Sequence, residues 1–348
     1  MTRGTLVRLA AVVVAGGAAL MPIPAALVER WYSLRVFPRV QAAVTTASNQ
    51  VPVALLDVAI LVLVTAACFR LVRRIRAEGA RATLRRLPMN VAAVAAVVYL
   101  LFLGMWGLNY RRVPLESKLV FDRSRVTREA LERLGRDATT HVNALFEPGR
   151  APRRDEPTLE SAFDTAQRLL GSTHTAVTGI PKRSWLTLYF RRAAIDGMTD
   201  PFFLEIILNP EILPAERPAV LAHEWAHLAG YADESEANFV AWLTCVHGDA
   251  AARYSGWLAV YQHVSAALPP LERRALEKLV APGPMEDLRA ITERYRRSSP
   301  AVRSVARGAY DSYLRANRIE EGIHNYSMVV QLMLGAHFDP DWKPQVRQ

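Results

Sequence analysis

Three apolar stretches dominate the first third of the chain, running from about Leu6 to Leu27, Val51 to Phe69 and Val91 to Tyr110. Each is close to the roughly 20 residues a helix needs to cross about 30 Å of hydrocarbon, so three transmembrane helices and a lipid bilayer partner are expected. Pro22 and Pro24 interrupt the first, and Asp57 lies inside the second. A carboxylate inside a span faces protein or water, so Asp57 is expected to pair with another helix or to sit near the interface.

Beyond residue 112 the texture changes. Val126 to Phe146 and Leu159 to Leu170 read as amphipathic helices, separated by a polar, Pro-rich loop from Glu147 to Pro157. Trp185 to Phe190 and Phe202 to Leu208 are short β-like runs on either side of a turn at Asp196-Gly197. From Pro218 to about residue 336 the pattern is helical, with breaks at Pro269-Pro270, Pro282 to Pro284 and Pro300. The expected fold class is α+β and predominantly helical: a membrane anchor over 1–112, then one body over 113–348 with a small sheet and a helical C-terminal part.

Charge changes the picture by its distribution. The net charge is +10, yet residues 1–112 hold 14 Arg against Glu29, Asp57 and Glu78, which leaves the remainder at −1. A nucleic-acid-binding body would carry the excess itself, so no nucleic-acid partner is expected. Arg70, Arg73, Arg74, Arg76, Arg81, Arg85 and Arg86 lie between the second and third spans and mark that connection as cytoplasmic. The body is then extracytoplasmic, and the 31–50 loop lies on its side. A cleaved signal peptide in place of the first span would leave the body on the same side. Only four of the 43 basic residues are Lys, a composition that suggests a bacterium and hence its inner membrane. Cys68 in a span and Cys245 in a distant helix make no structural pair.

The sharpest chemical signal is His223-Glu224-Trp225-Ala226-His227. Pro218 suits a first helical turn and Gly230 a helix end, so both His fall on one helix four residues apart and can reach one metal. Glu224 stands beside them where a general base is needed, toward a water whose pKa zinc lowers to about 7. A catalytic zinc takes a third protein ligand, and four residues compete. Asp233 completes a His-x-x-Gly-x-x-Asp spacing. Glu234 opens the next helix with Asn238 one turn on. Glu236 and His247 share another face of that helix. Any acid not used would cap that helix.

The run from Leu221 to Phe239, with Trp106 to Arg112, Tyr310 to Asn317 and Glu321 to Ser327, resembles domain-of-unknown-function family 3810. That resemblance implies a bacterial membrane protein of zincin type, a zinc metallopeptidase, and it favours Glu234 as the third ligand. Gly197-Met-Thr-Asp-Pro-Phe202 departs from the Gly-rich, aromatic segment usual in the family, which leaves the role of this loop open.

The expected activity is hydrolysis of a peptide or protein substrate, with His223, His227 and Glu234 on zinc and Glu224 as general base. Phe203 to Leu208 is a candidate substrate-aligning edge strand. His324 and Tyr326 are candidate oxyanion donors. Asn109 and Tyr110 are placed to couple anchor and body. The alternatives are a metal-stabilised membrane sensor or scaffold without catalysis, and a zinc amidase acting on cell-wall peptides.

Overall fold

A computed structural model describes residues 3–151, 158–319 and 328–347. The chain opens with α1 (Arg3–Leu20), α2 (Ala25–Leu27), a π-helical stretch (Val28–Val36) and α3 (Phe37–Asn49), then runs into α4 (Leu55–Glu78) and α5 (Ala80–Met105). The body follows with α6 (Leu115–Lys118), α7 (Arg128–Leu145), α8 (Leu159–Leu169), β1 (Pro181–Lys182), α9 (Thr187–Ala193), β2 (Gly197–Asp200) and β3 (Glu205–Leu208). It closes with α10 (Arg217–Leu228), α11 (Glu234–Val246), α12 (Ala250–Ala267), α13 (Pro270–Glu277), α14 (Pro282–Arg296), α15 (Pro300–Ala316) and α16 (Val329–Gly335). The fold is α+β and predominantly helical.

The helices α1, α4 and α5 are long and apolar enough to cross a membrane. Their bounds differ from those expected. Ala and Arg favour helix, so α4 continues through the basic run to Glu78, and only Gly79, at φ +81°, separates it from α5. The arginines therefore occupy a helical elbow, not a loop. At its other end α5 stops at Met105, and residues Gly107–Arg111 form a 3₁₀ turn in place of the last turn of a span. The first span ends at Leu20, ahead of the two prolines.

The 31–50 segment is also no loop. On α3 the buried stripe Phe37, Gln41, Thr45 and Ser48 repeats at helical spacing, but three of its four members are polar. Gln41 pairs with both backbone groups of Val177, Asn49 with Thr178 and Ile180, and Thr45 with the Leu204 carbonyl. A polar stripe satisfied by another segment's backbone leaves no hydrophobic period to read.

The sheet has the order β1-β3-β2, β1 parallel and β2 antiparallel to β3. Completely buried β3 is thus the central strand, and the edge role expected for Phe203–Leu208 falls to β2. The β-like run Trp185–Phe190 is instead the start of α9. Ser184 accepts from Leu186 and Thr187 and begins a turn, and Phe190 and Ala193 bury one face.

The second span is seated on the sheet through acids. Glu205 of β3 accepts from the backbone N–H groups of Leu55 (3.0 Å) and Leu56 (2.9 Å), the first turn of α4. Asp57 accepts from Ser184 Oγ (2.6 Å) and Trp185 N (2.9 Å). Both carboxylates therefore sit at a helix N-terminus, where the backbone dipole favours negative charge. Asp57 pairs with the body, not with another span. The main core gathers Trp225 and Leu228 of α10, Phe239 and Leu243 of α11 and Trp257 and Leu258 of α12, and Phe37, Phe102 and Trp106 from the N-terminal third join it.

Candidate functional site

Helix α10 carries the His-Glu-x-x-His run. Pro218 stands in its first turn, and Gly230 ends it at φ +85°, a left-handed conformation that glycine adopts without strain. Closeness adds a second reason for glycine: a Cβ at residue 230 would stand 3.0 Å from Phe37 and 3.2 Å from Asn109. The turn is clamped from outside. Arg112 donates to the Gly230 carbonyl (2.9 Å), lies over the Tyr231 ring and is ion-paired with Glu29. Asn109 accepts from Ser33 (2.9 Å). After this turn Asp233 caps α11, accepting from the N–H groups of Ser235 and Glu236. The second helix thereby starts with Glu234 pointing back at α10.

Three side chains converge as a result. His223 Nε2 lies 3.1 Å from His227 Nε2. Glu234 Oε2 lies 3.2 Å from the first and 3.6 Å from the second. Among the described residues this trio is the group of His, Cys, Asp or Glu atoms close enough to hold one metal ion. The Tyr231 carbonyl can only accept, so His227 Nδ1 donates to it (2.7 Å) and Nε2 faces the centre. Burial opposes charge on His227, but the Glu234 carboxylate overcomes it and pushes the pKa up to about 9. Burial would also raise Glu234, yet His227 and His223 hold its carboxyl far below the usual range. The centre of the trio therefore favours positive charge.

Glu224 stands beside this group, 4% exposed, and burial raises its pKa against the pull of His223 and His227. Thr199 Oγ1 donates to Glu224 Oε2 (2.8 Å) and lies 2.9 Å from the Glu224 carbonyl. Thr199 belongs to β2, so the loop from Gly197 whose role stood open is the strand that flanks Glu224. Gly197 has a steric reason to be glycine, because a Cβ there would stand 2.7 Å from Glu224 Oε1.

The other candidates are placed elsewhere. Asp233 serves as the cap. Glu236 accepts from Leu115 N (2.5 Å), and burial and Asp233 push it up to about 7 although Arg112 pulls it down. His247 ends α11, with Nδ1 donating to the Leu243 carbonyl. The Asn238 amide nitrogen is buried without a hydrogen-bond partner among the described residues. His324 and Tyr326 lie outside the described residues.

Two contacts were not foreseen. Tyr310 of α15 donates its hydroxyl to Glu234 Oε1, leaving Oε2 for the His pair. It lies in the stretch Tyr310 to Asn317 that carries the family resemblance, but nothing in a lone Tyr 76 residues away points to one oxygen of one Glu. The Trp106 indole donates to the His227 carbonyl (2.8 Å), its ring 6.0 Å from the imidazole. On α12, His263 is lowered to about 4 by burial and by His223, which keeps that neighbour neutral.

A family model described as "Protein of unknown function (DUF3810)" matches residues 32–334. The chain belongs to this family. In this DUF3810 protein the matched region takes in α3, the spans α4 and α5, the sheet, the His223, His227 and Glu234 trio, Glu224, Thr199 and Tyr310. No curated protein and no solved structure matches the chain.

Proposed function

We propose that this DUF3810 protein is a membrane-anchored, zinc-dependent peptide hydrolase of zincin type. The supporting observation is the size of the triangle formed by His223 Nε2, His227 Nε2 and Glu234 Oε2, with edges of 3.1, 3.2 and 3.6 Å. Ligands held about 2.0–2.1 Å from a tetrahedral zinc stand about 3.3–3.4 Å apart, so the trio is already spaced as three corners of such a site. The donor set agrees, since two imidazoles and one carboxylate make a catalytic rather than a closed structural site. Among the described residues, Glu234 Oε2 is also buried with no hydrogen-bond donor of its own.

Zinc bound there would polarise a substrate carbonyl and lower the pKa of a water. The chain's own residues supply the proton chemistry. Glu224, its carboxylate oriented by Thr199, removes a proton from the attacking water and returns it to the leaving amine. Edge strand β2 offers backbone groups to an extended peptide beside Glu224. The arginines of the α4–α5 elbow lie at the far end of these helices from the body, which supports a cytoplasmic elbow and an extracytoplasmic site at a bacterial inner membrane.

Zinc analysis of the purified full-length protein tests this reading. Wild type is expected to hold one zinc, and Glu234→Ala to bind it more weakly by well over the 10–100-fold typical of losing an outer-shell partner. Tyr310→Phe removes only the hydroxyl that steadies Glu234 and is expected to weaken zinc by about 10–100-fold. Competition with a chelator dye measures both. Full zinc retention in Glu234→Ala would overturn the ligand assignment.

A further inference from the structure

We propose that the substrates are polypeptide segments lying within a few residues of a membrane anchor, presented to the site along the bilayer surface. This rests on the peptide-hydrolase reading and adds where the substrate must be.

The walls of the site are built on the ends of the spans. On the metal-helix side, Trp106 is the residue after α5, and its indole holds the His227 carbonyl. On the strand side, Met198 of β2 packs against the cluster of Ala54, Phe190 and Ile207, which Leu56 in the first turn of α4 also joins. The third wall, α15, lies between two points near the same rim. At one end Ser299 N donates to the Arg192 carbonyl of α9, and just past the other Arg318 donates to the Met21 carbonyl next to α1. In between, α15 places Tyr310 on Glu234 and Tyr313 edge-on to Phe102 of α5. The distance from the end of α5 to the trio is spanned by one Trp side chain. That is roughly 10–15 Å, or three to five residues of extended chain at about 3.3 Å each.

The rim itself has the composition of a membrane interface. Trp185, Leu188 and Tyr189 share one face of the α9 region and are 69%, 58% and 43% exposed, with Arg192 next on that face. The hydrogen bond from Trp185 N to Asp57 fixes the α9 region at the level of the first turn of α4, the body-side end of that span. Aromatic rings with a flanking Arg are the side chains that settle at the headgroup level. A body resting on this face keeps its site at the level of the bilayer surface, within reach of a chain emerging from a neighbouring anchor.

The test uses the full-length protein in phosphatidylethanolamine–phosphatidylglycerol vesicles. Reporter polypeptides carry one transmembrane helix and an unstructured 20-residue segment, either adjoining the helix or displaced from it by a 30-residue Gly/Ser spacer. Both reporters are equally concentrated in the membrane, so tethering alone cannot separate them. Mass spectrometry of the products is expected to place the cuts within about five residues of the helix, with the adjoining segment cleaved at least 10-fold faster. Equal rates, with cuts spread along the spaced segment, would overturn the inference while leaving the hydrolase reading intact, because both cleavages would still vanish in Glu224→Gln. Failure to cut either reporter with zinc bound would sink both. Independently of activity, a fluorophore on Leu188→Cys in a Cys68→Ala background is expected to be quenched by headgroup-region nitroxide lipids, whereas one on exposed Leu271→Cys of α13 is not. An unquenched Leu188 label would remove the bilayer-surface placement.

Discussion

Glu224→Gln should abolish peptide hydrolysis while the protein keeps its zinc and its fold. Loss of a positioned general base costs typically 10²–10⁴ in rate, and no second base stands within the trio to replace it. Zinc should be retained because Glu224 is outside the triangle of His223, His227 and Glu234, and Gln fills the same volume. The substituted side chain also keeps its partner, since the Thr199 hydroxyl that donates to Glu224 Oε2 can donate equally to an amide oxygen. Stability should be unchanged or slightly increased. Burial raises the pKa of Glu224, so its charged form is disfavoured where it sits, and a neutral isostere removes that penalty. The two readouts together decide between functional classes. A metal-stabilised sensor or scaffold has no use for a proton acceptor and would behave as wild type in Glu224→Gln, and a cell phenotype that survives this substitution would exclude the hydrolase as its cause.

The part of the site that was legible in the sequence is the part set by local geometry. Pro218, the four-residue His spacing and Gly230 define a helix, its shared face and its end without reference to any other element. Glu234, Asp233 and Glu236 are less distinct in the sequence, because three acids in four residues differ only in which way a helix start turns them. The structure separates them by partner: Asp233 caps two N–H groups, Glu236 meets Leu115 and Glu234 meets the His pair. Elements set by tertiary contact were not legible. The aromatic run at Trp185 has strand propensity but is turned into α9 by Ser184 and by burial of Phe190 and Ala193. Helix α3 hides its buried face behind Gln41, Thr45 and Ser48. Tyr310 and Trp106 reach the site through hydrogen bonds across 76 and 121 residues, and no spacing rule reaches that far.

Lys182→Met should be the most destabilising single substitution at the seam between span and body. Lys182 Nζ, 3% exposed in its side chain, donates to Glu205 Oε2 (2.8 Å), to the Ser48 carbonyl (2.7 Å) and to Ser48 Oγ (2.8 Å). Glu205, whose side chain is fully buried, also receives the Leu55 and Leu56 N–H groups of α4. Methionine fills the aliphatic space but leaves the Glu205 charge in the core without a cation. Breaking a buried pair from one side costs about 3–5 kcal/mol, and the first turn of α4 offsets enough of it to favour the lower end. At roughly 2–4 °C per kcal/mol for large domains, thermal unfolding in detergent should fall by about 6–12 °C. The double substitution Lys182→Met with Glu205→Gln distinguishes charge from shape. It removes the stranded carboxylate while the amide oxygen still accepts from one of the two α4 N–H groups, so part of the lost stability should return. If the double variant is instead as unstable as the sum of the two single ones, the pair does not act as a unit and the seam is held by packing of Ala54, Phe190 and Ile207. Because the same strand pairs with β2 beside Glu224, a loosened seam should lower hydrolysis before the protein unfolds, whereas zinc held by α10 and α11 should stay bound.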